Sequence, residues 1–137
     1  MKKPTVFPAV LDALSQITET VTEAARSCGM DESSVRQLEL AVDEASTNII
    51  NYAYPESSDG TIEVEWSCRD NEFAVILRDR GNAFDQTEPT NPNLDAPLEE
   101  RQIGGLGRFF MQKCCDSLTY QRIGDCNVLT FVKKIKV

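Results

Sequence analysis

The sequence contains no histidine. This absence excludes Ser-His-Asp and Cys-His catalysis and also imidazole ligation of a metal, because each requires a histidine side chain. Any proton transfer therefore falls to carboxylates, lysine, tyrosine or thiols.

Cysteine is present but lacks the patterns that give it a structural role. The five cysteines are an odd number and show no Cys-x-x-Cys spacing. A disulfide framework or a zinc site is therefore not expected. We predict instead that the cysteines are small buried or half-buried thiols, including the adjacent pair Cys114 and Cys115. The five residues are Cys28, Cys68, Cys114, Cys115 and Cys126.

Basic residues and long apolar runs are also scarce. Fourteen basic residues against twenty-two acidic ones give a net charge of −8, which repels phosphate backbones and anionic lipids and argues against nucleic acid or membrane as the main partner. The longest apolar runs, such as residues 73–77, fall far short of the roughly 20 residues of a membrane helix. Met1 to Pro4 does not lead into the apolar stretch of a signal peptide. We predict a cytoplasmic protein, and the length of 137 residues predicts one domain spanning residues 1–137.

Two amphipathic helices are predicted in the first third of the chain, after a short edge strand at residues 5–7. Apolar residues recur with a helical period over residues 9–28 and again over about residues 34–52. Gly29 suits the C-terminal cap of the first helix, and Asp31 or Ser33 the N-cap of the second. The two apolar faces consist of Val10, Leu14, Ile17, Val21, Ala24 and Ala25, and of Val35, Leu38, Val42, Ala45 and Ile49.

The remaining chain predicts mainly strands. Residues 61–68 and 73–78 have the pattern of two strands joined as a hairpin across residues 69–71. The buried face of the first strand is predicted to carry Ile62, Val64, Trp66 and Cys68. The second strand is more apolar and is predicted to be more central in the sheet. Residues 81–103 predict a long loop of the kind that covers a site. A helix from residue 104 to about 116 and strands at 118–122 and 128–135 follow. This order predicts an α+β two-layer sandwich, a mixed but mostly antiparallel sheet with helices on one face.

Glu44 and Asn48 are the first candidate site residues. They lie four residues apart on the second predicted helix, so their side chains share one face beside the apolar stripe. Asn48 offers a neutral oxygen ligand for Mg²⁺, and Glu44 offers a general base. Surface polar residues without a role would show the same spacing, so this pair alone does not decide the function.

A second candidate segment, from Asp79 to Phe84, directly follows the predicted central strand. A carboxylate at that strand end accepts a hydrogen bond from an exocyclic amine such as that of adenine. Gly81 lets the backbone approach a flat ring. A simple turn would explain the same segment equally well.

The third candidate segment, residues 104–107, is rich in glycine and precedes a helix. Backbone N–H groups at such a helix start bind phosphate at the positive end of the helix dipole, although a hinge or a cap would give the same composition. The segment is not the Gly-x-x-x-x-Gly-Lys-Ser/Thr loop, so any phosphate binding is of another kind.

Taken in order, the three segments resemble the N, G1 and G2 boxes of the GHKL ATPases, of the gyrase, heat-shock chaperone, histidine kinase and MutL type. More narrowly, residues 40–50 (LAVDEASTNII) and 104–107 (GGLG) resemble the anti-sigma-factor serine/threonine kinases of bacterial stress and sporulation switches. The opening residues 6–9 (VFPA) and the closing residues 127–130 (NVLT) are similar too. The resemblance therefore covers nearly the whole chain.

The resemblance implies a Bergerat-type ATP-binding fold and an ATP-dependent serine/threonine protein kinase. It implies that Glu44 is the catalytic base and that Asn48 ligates Mg²⁺. It further implies three partners: a STAS-type anti-anti-sigma protein that is phosphorylated on serine, a sigma factor that is sequestered, and a second copy of the chain. The residues implied to bind the ATP cofactor are Asn48, Asp79, Gly81, Phe84, Gly104, Gly105, Leu106 and Gly107.

Two other functions stay open on the sequence. One is a catalytically weak, nucleotide-gated module that only sequesters a regulator. The other is the catalytic domain of a histidine kinase, against which the missing phosphoacceptor histidine counts. The G1 segment, residues 79–84, lacks the second glycine of the broader superfamily, as in the anti-sigma branch. We expect Phe84 to pack beneath the long loop of residues 81–103, which would act as a lid. Arg101 in this loop is a candidate phosphate contact.

Overall fold

Five strands and two main helices make up the part of the chain that the structure, a computed structural model, describes, namely residues 4–54, 59–83 and 111–135. A short 3₁₀ segment, Leu11–Ala13, precedes the first helix, and a π-helical segment, Ile49–Ala53, continues the second. The helices are α1 (Leu14–Ser27) and α2 (Glu32–Asn48). The strands are β1 (Thr5–Pro8), β2 (Thr61–Arg69), β3 (Glu72–Asp79), β4 (Ser117–Ile123) and β5 (Cys126–Lys134).

The strands form one sheet in the order β1-β2-β3-β5-β4. All four neighbouring pairs of the described strands are antiparallel, so the prediction of a mixed sheet was wrong for this part of the chain. For two of the four pairs the reason is the connection, since β2–β3 and β4–β5 are two-residue hairpins and a parallel pair would need a long crossover. The predictions of an edge strand β1 and a central strand β3 are confirmed.

The register of β2 against β3 is fixed by the turn between these two strands. Asp70 and Asn71 have φ values of 54° and 62°, the left-handed conformation that a tight two-residue hairpin loop requires. Aspartate and asparagine tolerate this conformation better than other residues with a side chain. The resulting register pairs Asp79 with Ile62 on one side, and β5 pairs it with Asn127 on the other.

The helix caps agree with the sequence. Gly29, at φ 91°, follows α1, and the N–H groups of Gly29 and Met30 donate to the carbonyls of Arg26 and Ala25, at 3.0 and 3.1 Å. This is the Schellman arrangement that glycine favours. Asp31 caps α2 by accepting a hydrogen bond from the Ser34 N–H at 3.2 Å.

The core lies between the two helices and one face of the sheet. The prediction for the α2 face is confirmed, because its apolar residues are all buried. Two predictions for buried positions were wrong. Val10 is 48% exposed because it precedes the 3₁₀ segment, and the buried face of β2 ends at Val64, leaving Trp66 half-buried and Cys68 exposed. The largest fully buried side chains are Phe73, Phe131, Ile17, Leu38, Ile49, Ile62, Leu77, Val21, Val35, Val42, Val64 and Val75.

The cysteines are free thiols, and four of the five are buried or half-buried as predicted, whereas Cys68 is exposed. Cys114 is buried in the core, and burial raises the pKa of the half-buried Cys115 to about 12. A thiol with such a pKa is almost entirely protonated at neutral pH and therefore a weak nucleophile. Among the described residues, no helix has the length and apolar character needed to cross a membrane.

Candidate functional site

The carboxylate of Asp79 is the most unusual polar group at the end of β3. The residue is only 3% exposed. Its Oδ1 accepts hydrogen bonds from the Gly81 N–H at 2.9 Å and from Asn127 Nδ2 at 2.8 Å. Its Oδ2 is also buried, yet no described residue donates to it. One carboxylate oxygen is thus saturated while the other is left as an acceptor.

The surroundings of Asp79 disfavour its charge. Burial raises the pKa of this carboxyl above its ordinary value, although the hydrogen bonds from Asn127 and Gly81 and the positive charge of Arg122 act in the opposite direction. A buried polar atom without a partner costs free energy. A ligand that brings an N–H donor to Oδ2 would remove that cost, so the site suits an exocyclic amine.

Gly81 is required by a close contact of the turn after β3. A Cβ atom added at Gly81 would lie 2.2 Å from the carbonyl oxygen of Ala53, far inside van der Waals contact. The same carbonyl accepts a hydrogen bond from the Asn82 N–H at 2.6 Å. The sequence suggested that this glycine makes room for a flat ring; the structure adds the packing of the turn against the end of the π-helical segment.

The π-helical segment links the two predicted site segments. Glu44 and Asn48 are half-buried on α2, as their position beside the apolar stripe predicted. Directly after Asn48 the helix widens over Ile49–Ala53, and Ala53 contacts the Asp79 turn. Single π-turns inside helices occur frequently at functional sites. The helix that carries Glu44 and Asn48 therefore ends against the strand end that carries Asp79.

The third predicted segment lies outside the described residues. Its role in binding phosphate stays a prediction, and so do the positions of the residues named for it. Residues 111–114, which are helical, pack into the core through Met111 and Cys114. Phe84 of the second segment and Arg101 of the predicted loop lie outside the described residues too, so all of the following stay predictions: Phe84, Arg101, Gly104, Gly105, Leu106 and Gly107.

Sequence reasoning missed the polar side chains that surround Asp79 from β4 and β5. Asn127 is 1% exposed and contacts Asp79, and Arg122 donates a hydrogen bond to the Gly81 carbonyl at 2.8 Å. The sequence predicts a last strand that begins at residue 128, whereas β5 begins at Cys126 and includes Asn127. An asparagine at a buried register position of a strand was the available signal.

A cleft of about 510 Å³ is lined in part by the same turn. The side chains of Arg80, Arg122 and Tyr54 line it, but Glu44, Asn48 and Asp79 do not. Tyr54 Oη also accepts from the Arg80 N–H at 2.8 Å and donates to the Thr61 carbonyl at 2.6 Å. These bonds hold the cleft wall in place, and Gly81 is the only described residue of the predicted site that lines the cleft.

The family comparison agrees with this arrangement of helix, strand end and turn. A family profile described as the histidine kinase-like ATPase domain matches residues 7–133. The chain belongs to this family. Membership in the histidine kinase-like ATPase family confirms the resemblance inferred from the motifs and indicates the use of ATP.

Several curated relatives are named serine-protein kinase RsbW. The protein of Oceanobacillus iheyensis is 30% identical over 105 residues, which cover 72% of this chain and 65% of the relative. That of Bacillus subtilis is 27% identical over 120 residues, covering 83% and 74%. That of Staphylococcus epidermidis is 28% identical over 139 residues, covering 96% and 87%. The narrower resemblance to anti-sigma serine kinases is thereby confirmed.

Solved structures of histidine kinase-like ATPases share the fold. The RsbU and RsbW domains of a Mycobacterium tuberculosis protein align over 98% of this chain and 33% of that one, with a TM-score of 0.68 and 15% identity. A blue-light activated histidine kinase of Erythrobacter litoralis aligns over 90% of this chain and 41% of that one, with a TM-score of 0.61 and 16% identity. This chain thus spans a third to two fifths of these larger proteins, and the α+β fold prediction is confirmed.

Proposed function

We propose that this chain is an ATP-dependent serine/threonine protein kinase that phosphorylates a serine of a STAS-type anti-anti-sigma partner and sequesters a sigma factor in the cytoplasm. Family membership and the RsbW relatives support the proposal. The observation that carries it is the buried acceptor Oδ2 of Asp79, which lacks a partner among the described residues and lies at the end of the central strand.

Recognition of the nucleobase is assigned to the Asp79 turn. The 6-amino group of adenine is an N–H donor, and Oδ2 is the acceptor available to it. A buried hydrogen bond to a charged group contributes about 1.5–3 kcal/mol, and a site with an unpaired polar atom strongly disfavours a ligand that lacks the matching group. The proposed contact with Asp79 predicts a preference for adenine nucleotides.

Phosphoryl transfer is assigned to α2. Bound Mg-ATP supplies the transferable phosphoryl group and the counter-charge for it. Asn48 offers the metal a neutral oxygen, and half-buried Glu44 on the same face accepts the proton of the attacking serine hydroxyl. Mg²⁺ takes few protein ligands and keeps waters and phosphates, so a single carboxamide ligand from the protein is in keeping with this ion. Phosphoryl transfer asks the protein mainly for positioning and electrostatics.

The test is labelling of a purified STAS protein from the same genome with γ-labelled ATP and Mg²⁺. Loss of a general base costs about 10²–10⁴-fold in rate. We therefore expect Glu44→Gln to reduce the labelling rate at least about 100-fold while the ATP dissociation constant changes little. Glu39→Gln is the matched control, since Glu39 is exposed on the same helix and has no assigned role.

The outcomes separate the competing functions. Serine labelling that persists in Glu44→Gln removes Glu44 from the role of base. Tight binding of the STAS partner without transfer over hours indicates the sequestering module instead. Transfer to a histidine of an added partner indicates the histidine kinase function.

Homodimerisation is part of the same proposal. β1 is at one end of the described sheet; Val6 within it and Leu11 in the 3₁₀ segment that follows are 56% and 57% exposed. An exposed strand edge with neighbouring apolar side chains favours association of two chains. Analytical ultracentrifugation should show a dimer at micromolar concentration; a monomer there contradicts this part.

A further inference from the structure

Asn127 is a buried polar residue for which a packing role alone gives no explanation. It is 1% exposed and lies directly across from Asp79 in the β3–β5 register. Asparagine is disfavoured in strands, and a buried carboxamide is costly unless every polar atom is paired. Its hydrogen bonds therefore show what the position requires.

The orientation of the Asn127 amide is set by the groups around it. Its Oδ1 accepts from Arg122 Nη1 at 3.1 Å and from the Tyr120 hydroxyl. Its Nδ2 donates to Asp79 Oδ1 at 2.8 Å and to the Asn82 carbonyl at 2.9 Å. A guanidinium can only donate and a backbone carbonyl can only accept, so a flipped amide would oppose like groups on both sides. The amide is thus held in one orientation.

This orientation determines which oxygen of Asp79 is available. Asn127 Nδ2 and the Gly81 N–H both donate to Oδ1, which fixes the rotation of the carboxylate about its Cβ–Cγ bond. Oδ2 is left as the acceptor without a described partner. Arg122 supports the arrangement twice, since Nη1 contacts both Asn127 Oδ1 and the Gly81 carbonyl.

We propose that Asn127 is a positioning residue for nucleobase selection: held by Arg122 and Tyr120, it fixes the Asp79 carboxylate so that Oδ2 meets the exocyclic amine of a 6-aminopurine. The proposal rests on the function proposed above and extends it to the residue that sets base specificity. Without Asn127, the carboxylate can rotate and share the amine contact between two poorly aimed oxygens.

The experiment compares binding of ATP with that of purine riboside triphosphate, which lacks the 6-amino group but carries the same sugar and phosphates. Dissociation constants are measured by calorimetry in Mg²⁺ for the unchanged chain, Asn127→Ala and Val128→Ala. Val128 is the matched control, because it lies next to Asn127 on β5, half-buried and on the opposite face of the sheet. The ratio of the two constants reports selection of the amine and is insensitive to general weakening of the fold.

For the unchanged chain we expect a preference for ATP of about 10-fold or more, the value of one charged hydrogen bond. Asn127→Ala should lower this ratio at least about fivefold while the affinity for purine riboside triphosphate changes less than about threefold. Val128→Ala should leave the ratio unchanged. A parallel loss of affinity for both ligands in Asn127→Ala, or an unchanged ratio, overturns the proposal.

A second variant covers the case in which Asn127→Ala does not fold. Tyr120→Phe removes one hydrogen bond to Asn127 Oδ1 and keeps the Arg122 contact, so the ratio should fall by about two- to threefold. An unchanged ratio in a folded Tyr120→Phe then counts against the proposal. If the unchanged chain prefers ATP and the variants do too, only the role of Asn127 fails; if the unchanged chain does not bind ATP, the proposed function itself fails.

Discussion

Replacing Asp79 by asparagine tests the proposed role of the Asp79 carboxylate, because it turns one acceptor oxygen into an NH₂ donor at nearly the same volume. In Asp79→Asn, the side-chain oxygen takes the place of Oδ1, because Asn127 Nδ2 and the Gly81 N–H both need an acceptor there. The amide NH₂ group then takes the place of Oδ2. The buried acceptor becomes a donor, while the volume and the surrounding hydrogen bonds are retained.

The expected effect on ligand binding is a loss of selectivity for the amine. A hydrogen bond to a charged acceptor contributes about 1.5–3 kcal/mol, which corresponds to about 10- to 150-fold in the dissociation constant. In Asp79→Asn this term disappears and two donors face each other. The ratio of purine riboside triphosphate to ATP dissociation constants should therefore fall to about one or below, as measured by calorimetry.

The expected effect on stability has the opposite sign. Burial raises the pKa of Asp79 in the folded chain, so the folded state binds this proton more tightly than the unfolded state does. The stability contribution of Asp79 is thus greatest at low pH and is lost as the pH rises through its folded pKa. Asp79→Asn removes this loss. Without ligand, its thermal midpoint should equal or exceed that of the unchanged chain at pH 8, with a difference that shrinks on acidification.

One pair of results would refute this reasoning. If Asp79→Asn kept the full preference for ATP over purine riboside triphosphate, Oδ2 would not be the acceptor for the amine. The second result concerns the thermal midpoint of Asp79→Asn minus that of the unchanged chain. If this difference were lower at pH 8 than at pH 5, the ligand-free protein would not contain a buried, unpaired carboxylate oxygen at Asp79. In the unchanged chain, the preference for ATP should itself weaken as the pH falls through the raised pKa of Asp79, since the protonated carboxyl no longer offers a charged acceptor.

Three further predictions concern packing and burial, one in the site and two elsewhere in the chain. Gly81→Ala should lower the free energy of unfolding in urea by about 1–3 kcal/mol, because its Cβ would overlap the Ala53 carbonyl; a change below about 0.5 kcal/mol contradicts this contact. Lys133→Met should cost about 1–3 kcal/mol, because the buried ammonium donates to Gln37 Oε1 at 2.7 Å and to the Cys114 carbonyl at 2.9 Å. Lys134→Met, at an exposed neighbour, should stay within about 0.5 kcal/mol. Iodoacetamide at pH 8 should label exposed Cys68 at least about 100-fold faster than Cys115, whose pKa is about 12, as followed by peptide mass spectrometry; equal rates would mean that Cys115 is not desolvated.

The local features of the fold were predictable because short-range physics determines them. Gly29 and Asp31 cap their helices as expected, since the conformations and hydrogen bonds involved lie within a few residues. The hairpin at Asp70 and Asn71 follows from the left-handed conformation that these residues tolerate. The partial burial of Glu44 and Asn48 follows from helical periodicity alone.

The features that escaped prediction depend on contacts between distant segments. The π-helical segment Ile49–Ala53 has no sequence signature, and its carbonyl at Ala53 contacts a turn nearly thirty positions later. The Asn127 amide is oriented by partners on β3, on β4 and in the turn after β3, so its role appears only once the sheet is assembled. The predictions of a buried Trp66 and Cys68 failed. The alternation of apolar and polar residues shows which face of a strand points to the core, but it does not show how far along the strand the packed helices extend.

Calorimetric titration of the 137-residue chain with ATP and with purine riboside triphosphate, both in Mg²⁺, tests the central claim most directly. We predict saturable binding of both nucleotides, tighter for ATP by about 10-fold or more, with a matching rise in the thermal midpoint. Absence of heat and of thermal stabilisation with ATP, or equal affinity for the two nucleotides, would contradict the claim that the Asp79 carboxylate receives the amine of a bound adenine nucleotide.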